Sequence, residues 1–170
     1  MRLVSGDPEL QMAAFDEITA TATVWAEDAV AAFKVSDNPF LIAERLPVIG
    51  VSCIYPLRKI LTSDSRPELK ILSAIVLFKL GDMYGIGEIM NEIRTVGPYA
   101  CVAVGLTSFN RIEDISAAIL EGIKKINIAD VDLMVAYVLA VQKLGLDLPG
   151  EVAMALKSDG VPWQVASLFR

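Results

Sequence analysis

The 170-residue chain contains no histidine, so the side chains left for chemistry are carboxylates, tyrosines and two cysteines. Ser-His-Asp and Cys-His nucleophile activation, the commonest general base and the commonest zinc ligand are all removed. Cys53 and Cys101 stand too far apart for a zinc site, and each lies in an apolar stretch. They are expected to be reduced thiols packed as small buried hydrophobes. Glu88 and Glu92 fall at i, i+4 and could share a cation from one helix face. Their neighbours Ile86, Ile89, Met90 and Ile93 make a solvated outer face the expected reading. Asp130 and Asp132 flank Val131 and read as helix-start acids favoured by the helix dipole. Gly81-Asp82-Met83-Tyr84-Gly85-Ile86-Gly87 has the glycine density of a phosphate cradle. It fits neither dinucleotide nor P-loop spacing and follows a helix where those motifs require a strand, so a turn capped by Gly81 is expected. No catalytic residue, metal site or cofactor is predicted. Acid-base work would have to pair Asp132 or Glu88 with Tyr137.

Proline and glycine punctuation defines the elements that carry these residues. Asp7-Pro8-Glu9 and Asn38-Pro39 place a capping side chain before a proline at the first helical position. Pro67, Pro98, Pro149 and Pro162 mark later starts, and Gly81, Gly145 and Gly160 mark stops. No stretch alternates for long enough to argue a sheet. The predicted helices are 8–33 (with a possible break among the β-branched residues 19–23), 39–46, 48–62, 67–80, 86–95, 98–109, 112–126, 130–144, 149–158 and 161–169. Between Leu69 and Leu80 only Lys70 and Lys79 are charged, so that helix must be covered on several sides. The fold class expected is all-α.

An internal repeat refines this. Leu69 to Gly81 aligns without gaps on Leu133 to Gly145, 64 residues later, and Pro98 and Pro162 share that offset. Starts at Pro67, Pro98, Asp130 and Pro162 divide the offset into units of about 32 residues, the period of a two-helix repeat. In Pro67-Glu68-Leu69, Leu80-Gly81-Asp82 and the set Ile86, Ile89, Met90, Ile93, the chain resembles the HEAT-like helical repeats of bacterial proteins. The resemblance implies an α-solenoid of stacked hairpins over residues 47–170, with 1–46 as an acidic helical cap of the same single domain. It departs from the family in its short unit and in lacking Leu-Gly-Asp near Cys101. In such a stack Ala74, aligned with Val138, should face a neighbouring helix at close range.

Charge is segregated. Residues 1–44 hold eight acids and two bases, which is the entire net charge of −6, and the remaining 13 acids and 13 bases cancel. No basic stripe suited to a phosphate backbone is visible, which argues against nucleic acid. The longest uncharged stretch, Thr95 to Asn110, is too short to span a bilayer and contains Pro98. With no apolar leader before the first acids, a cytoplasmic location is expected.

Stacked hairpins offer extended surface without catalytic groups. The function expected is therefore a non-catalytic protein–protein interaction module, such as an adaptor or an inhibitor or immunity-type protein, with another protein of basic surface as partner. The candidate contact residues fall into three sets. Lys70, Ser73, Asp132 and Tyr137 lie on the two long apolar helices. Tyr99 and Trp163 each follow a helix-starting proline, at places two units apart, and either plug a seam or form a ridge. The acidic pairs Asp16/Glu17 and Glu27/Asp28 would share one face if helix 8–33 were continuous. The alternative is a small enzyme or chromophore-handling protein of the HEAT-like lyase type, using carboxylate and tyrosine chemistry.

Overall fold

In the computed structural model the described residues are 7–19, 25–64, 66–108, 114–158 and 160–169. Every element among them is helical: α1 (Pro8–Thr19), α2 (Ala26–Val35), α3 (Pro39–Ala43), α4 (Leu46–Ile49), α5 (Ile54–Ser63), α6 (Pro67–Lys79), α7 (Ile86–Thr95), α8 (Ala100–Thr107), α9 (Ile115–Ile123), α10 (Val131–Lys143), α11 (Gly150–Ala155) and α12 (Trp163–Ala166). None of these is long and apolar enough to cross a membrane. The chain divides into two compact units, Met1–Glu88 and Ile89–Arg170, with the division inside α7.

In the first unit α6 is the central element, packed by α5, α3, α4 and the 3-10 turn Met83–Gly85. Leu69 and every residue from Ile71 to Phe78 are buried, as the absence of a polar face on this helix requires. Ala74 is fully buried, and a Cβ built on Gly85 would lie 2.6 Å from its own, so Ala74 has the close neighbour expected, although that neighbour is the Met83–Gly85 3-10 turn. The described part of the acidic segment packs on this core, α2 against α5 and α3 against α6. Asn38 caps α3 by accepting the Leu41 N–H at 3.3 Å.

The segment 8–33, expected as one helix with a possible break among residues 19–23, holds two helices among the described residues, α1 and α2, with Trp25 at ψ near 9° as the N-cap of α2; residues 20–24 lie outside the described residues. One expectation for this unit is corrected. The helix over 48–62 begins late, since Gly50 at φ 90° interrupts the chain after α4 and a 3-10 turn, Val51–Cys53, leads into α5.

In the second unit α10 holds the central place, packed by α8, α9 and α12. The 64-residue offset is reproduced residue for residue in the C-terminal caps. Helices α6 and α10 have 13 residues each, and each ends in a left-handed glycine, Gly81 at φ 82° and Gly145 at φ 66°. The same pair of bonds closes both ends: Asp82 N–H to Leu77 O and Gly81 N–H to Phe78 O, then Leu146 N–H to Val141 O and Gly145 N–H to Gln142 O. This is the Schellman pattern, and glycine serves it because a Cβ disfavours positive φ. Helices α7 and α11 also begin 64 residues apart, at Ile86 and Gly150.

Candidate functional site

Helices α6 and α10 diverge in what covers them. Positions Ile71, Leu72 and Ile75 of α6 correspond at the repeat offset to Val135, Ala136 and Leu139 of α10. The first three are buried, whereas Val135 and Ala136 are half-buried and Leu139 is 47% exposed. The uncovered stripe of α10 forms one wall of a groove of about 1120 Å³. Asp132, Val135, Ala136, Leu139 and Lys143 line that wall at helical spacing, and Cys101, Gly105 and Ser108 at α8 line the facing one. Asp132 stands in the first turn of α10 and Lys143 in the last, so the apolar floor lies between an acid and a base. Eleven residues of helix separate them, about 16 Å along the axis.

Within the second unit Tyr137 points away from this groove. It is fully buried, and its hydroxyl donates a hydrogen bond to the Ile93 carbonyl at 2.5 Å. Gly122 makes room for it, since a Cβ there would lie 2.7 Å from the tyrosine ring and closer still to the Ile93 carbonyl oxygen. Burial, followed by the nearby Glu92 charge, pushes the phenol well above its ordinary range. Tyr137 is therefore a protonated donor that ties α10 to the end of α7 and is not available to a partner or substrate. Its counterpart at the repeat offset, Ser73, is equally enclosed, with a buried hydroxyl that has no hydrogen-bond partner among the described residues. Both Ser73 and Tyr137 are thus corrected from surface residues to interior ones.

The remaining candidates are dispersed. Lys70 is half-buried on α6 in the first unit, while Asp132 lies on the groove in the second. Tyr99 is half-buried at the start of α8, where its backbone N–H is held by the Glu92 carboxylate at 2.6 Å, and Trp163 is 75% exposed. Glu92 is therefore not the freely solvated acid expected; it fixes the turn before α8 instead. Glu27 and Asp28 are exposed in the first turn of α2. Asp16 and Glu17 lie on α1, and their side chains fall outside the described residues. Helices α1 and α2 are separate elements, so the continuous helix on which that shared face depended is absent among the described residues.

Cys53 is buried as expected, and desolvation raises its thiol pKa to about 11. Cys101 departs from expectation by being exposed. Its apolar neighbours Ala100, Ala103 and Val104 are buried, while Cys101 itself opens on the groove. The Gly81–Gly87 stretch is the expected turn: Gly81 caps α6, and Asp82 accepts the Tyr84 N–H at 2.9 Å. Among the described residues no group of three or more histidine, cysteine or acidic side chains is placed to hold a metal.

The groove itself was not singled out from the sequence. Small residues at Gly105 and Ala136 were the available signal, but without the packing of α8 on α10 nothing marks those positions as adjacent. No protein-family model, curated protein or solved structure matches the chain.

Proposed function

We propose that this chain is a non-catalytic interaction module, an α-solenoid of HEAT-like hairpins in the cytoplasm, that seats a helical segment of a partner protein in the α8–α10 groove. The observation that supports this reading is the unequal covering of α6 and α10. The same apolar pattern is buried in one helix and open in the other, on the wall of a concave groove. Asp132, Val135, Ala136 and Leu139 follow the i, i+3, i+4, i+7 spacing of a helix-binding seat, with Asp132 and Lys143 fixing the direction of an amphipathic partner. The fully buried Tyr137 and the absence of histidine leave little acid-base chemistry nearby.

A photo-crosslinking residue at position 135 tests this in native cell extract. A single crosslinked protein is expected, and it should be lost when Leu139→Glu is added to the same chain. Crosslinks spread over many proteins and unchanged by Leu139→Glu would end the reading.

One observation favours the alternative of a small-molecule handler. At about 1120 Å³ the groove has room for a small ligand, whose pockets run to roughly 1,000 Å³, and it has the Cys101 thiol on its wall. Native mass spectrometry of the purified protein distinguishes the two, because a retained small molecule displaced by Leu139→Glu belongs only to the second.

A further inference from the structure

A different surface, on the first unit, carries its own argument. From Arg45 to Ser63 the chain has three bases, Arg45, Arg58 and Lys59, and no acid, directly after the segment that holds the whole negative charge. The two bases on α5 stand beside exposed aromatic rings. Lys59 Nζ lies 4.4 Å from the centroid of the Tyr55 ring, and the Arg58 guanidinium lies 5.0 Å from that of Tyr84. Val51, Tyr55, Arg58, Lys59 and Thr62 follow at i, i+4, i+7, i+8 and i+11, which is one face of the helix and its leading turn. Every one of them is exposed.

The arrangement is held in place from beneath. Asp82 is almost fully enclosed, and its Oδ2 takes Nε and Nη2 of Arg58 at 2.9 and 2.6 Å. Its Oδ1 meanwhile accepts the Tyr84 N–H at 2.9 Å. One carboxylate therefore fixes both the guanidinium and the turn that brings Tyr84 over it. Arg58 keeps 46% of its side chain in solvent and retains N–H donors beyond the two that Asp82 engages. Rigid tyrosines and an oriented arginine are the side chains that dominate binding hot spots, because little conformational entropy is lost when they are covered.

We infer that this face of α5, with Tyr84, is a docking surface for an acidic segment of another protein. Charge selects the occupant: the patch presents Lys59 and the outer edge of Arg58 to solvent, while Asp82, the acid that pairs with Arg58, is enclosed beneath it. A carboxylate of the partner would receive the remaining Arg58 N–H groups or the Lys59 ammonium, while its apolar side chains cover Val51 and the two rings. Nucleic acid shares the anionic and stacking chemistry, but the net charge of −6 repels an extended phosphate backbone where a short acidic peptide is tolerated.

The probe is a random-peptide display library selected on the full chain, with depletion on the Tyr55→Ala/Lys59→Glu variant. Enriched peptides of net negative charge are expected, and their affinity should fall with added salt and by roughly tenfold or more in the variant. Because Tyr55 and Lys59 are exposed, the variant should melt with the parent protein; Lys59→Glu alone serves if it does not. The inference is overturned if basic peptides enrich as well as acidic ones, if the enriched peptides bind the variant equally, or if a single-stranded oligonucleotide competes as effectively as the peptides. The α8–α10 groove is not involved, so Leu139→Glu should leave this binding intact.

Discussion

Val96 is the residue most at odds with its own conformation. It follows α7 at φ 55°, the one described non-glycine residue with positive φ, and a β-branched side chain is poorly suited to that region. The cap it closes has the Schellman bonds, Gly97 N–H to Glu92 O and Val96 N–H to Ile93 O. At the 64-residue offset stands Gly160, at φ 98°. Replacing Val96 by glycine should therefore relieve strain and raise stability by about 1 kcal/mol, a few degrees in the melting temperature. A lower melting temperature would mean that the valine side chain contributes more through packing than its backbone costs. The cysteines give a second expectation. Cys101 should react with a thiol reagent in the native protein, whereas Cys53 should react only on unfolding. Desolvation raises the Cys53 pKa from 9.0 to about 11, so the folded state keeps a proton that the unfolded state releases. Its contribution is fully present below pH 9.0 and is lost as pH rises towards about 11. Denaturant unfolding across that window should show a decline of about 2–3 kcal/mol that Cys53→Ala lacks.

At the scale of elements, the seam between α6 and the Met83–Gly85 turn is the most sensitive place in the first unit. Ala74→Arg would drive a long cation into a contact where even a methyl on Gly85 does not fit. Loss of cooperative unfolding is expected, with a cost above about 4 kcal/mol. Circular dichroism during heating checks it, and a preserved transition would show that α6 can rotate. This seam was legible in the sequence because the repeat set Ala74 in register with Val138, and a small residue within an apolar run implies a close neighbour. The helix start at Pro67 and the stops at Gly81 and Gly145 were legible for a related reason: a proline or glycine acts on its own backbone, whatever packs nearby. The destination of each side chain was less so. Ser73 and Tyr137 were candidate contact residues because they lie on the two long repeat helices, yet tertiary packing encloses both, Tyr137 with a partner carbonyl and Ser73 with no hydrogen-bond partner among the described residues. The groove was illegible for the converse reason, since an apolar stripe in sequence looks the same covered or open.

Across the whole molecule, charge is sorted along the chain: the first 44 residues carry −6, and the stretch from Arg45 through Ser63 carries three bases and no acid. Two explanations for the acids compete, and the positions of Glu27 and Asp28 separate them. Both lie in the first turn of α2, where the exposed N–H groups and helix dipole favour negative charge by about 0.3–1 kcal/mol per residue. If that local role is the main one, Glu27→Lys/Asp28→Lys should lower the melting temperature by several degrees while leaving partner association untouched. If the acids also attract a basic partner over distance, the same variant should slow association at low salt and flatten its salt dependence, with the dissociation rate nearly unchanged. The split of the 8–33 helix bears on which to expect. The continuous helix that would set Asp16/Glu17 and Glu27/Asp28 on one face is interrupted at Trp25, and Asn38 and Asp7 show that polar side chains in this segment are already engaged in capping. We expect the thermal effect without the kinetic one. Thermal melts together with association rates against the protein crosslinked at position 135, at low and high salt, decide it, and a slowed association with an unchanged melting temperature would return the acidic segment to the binding surface.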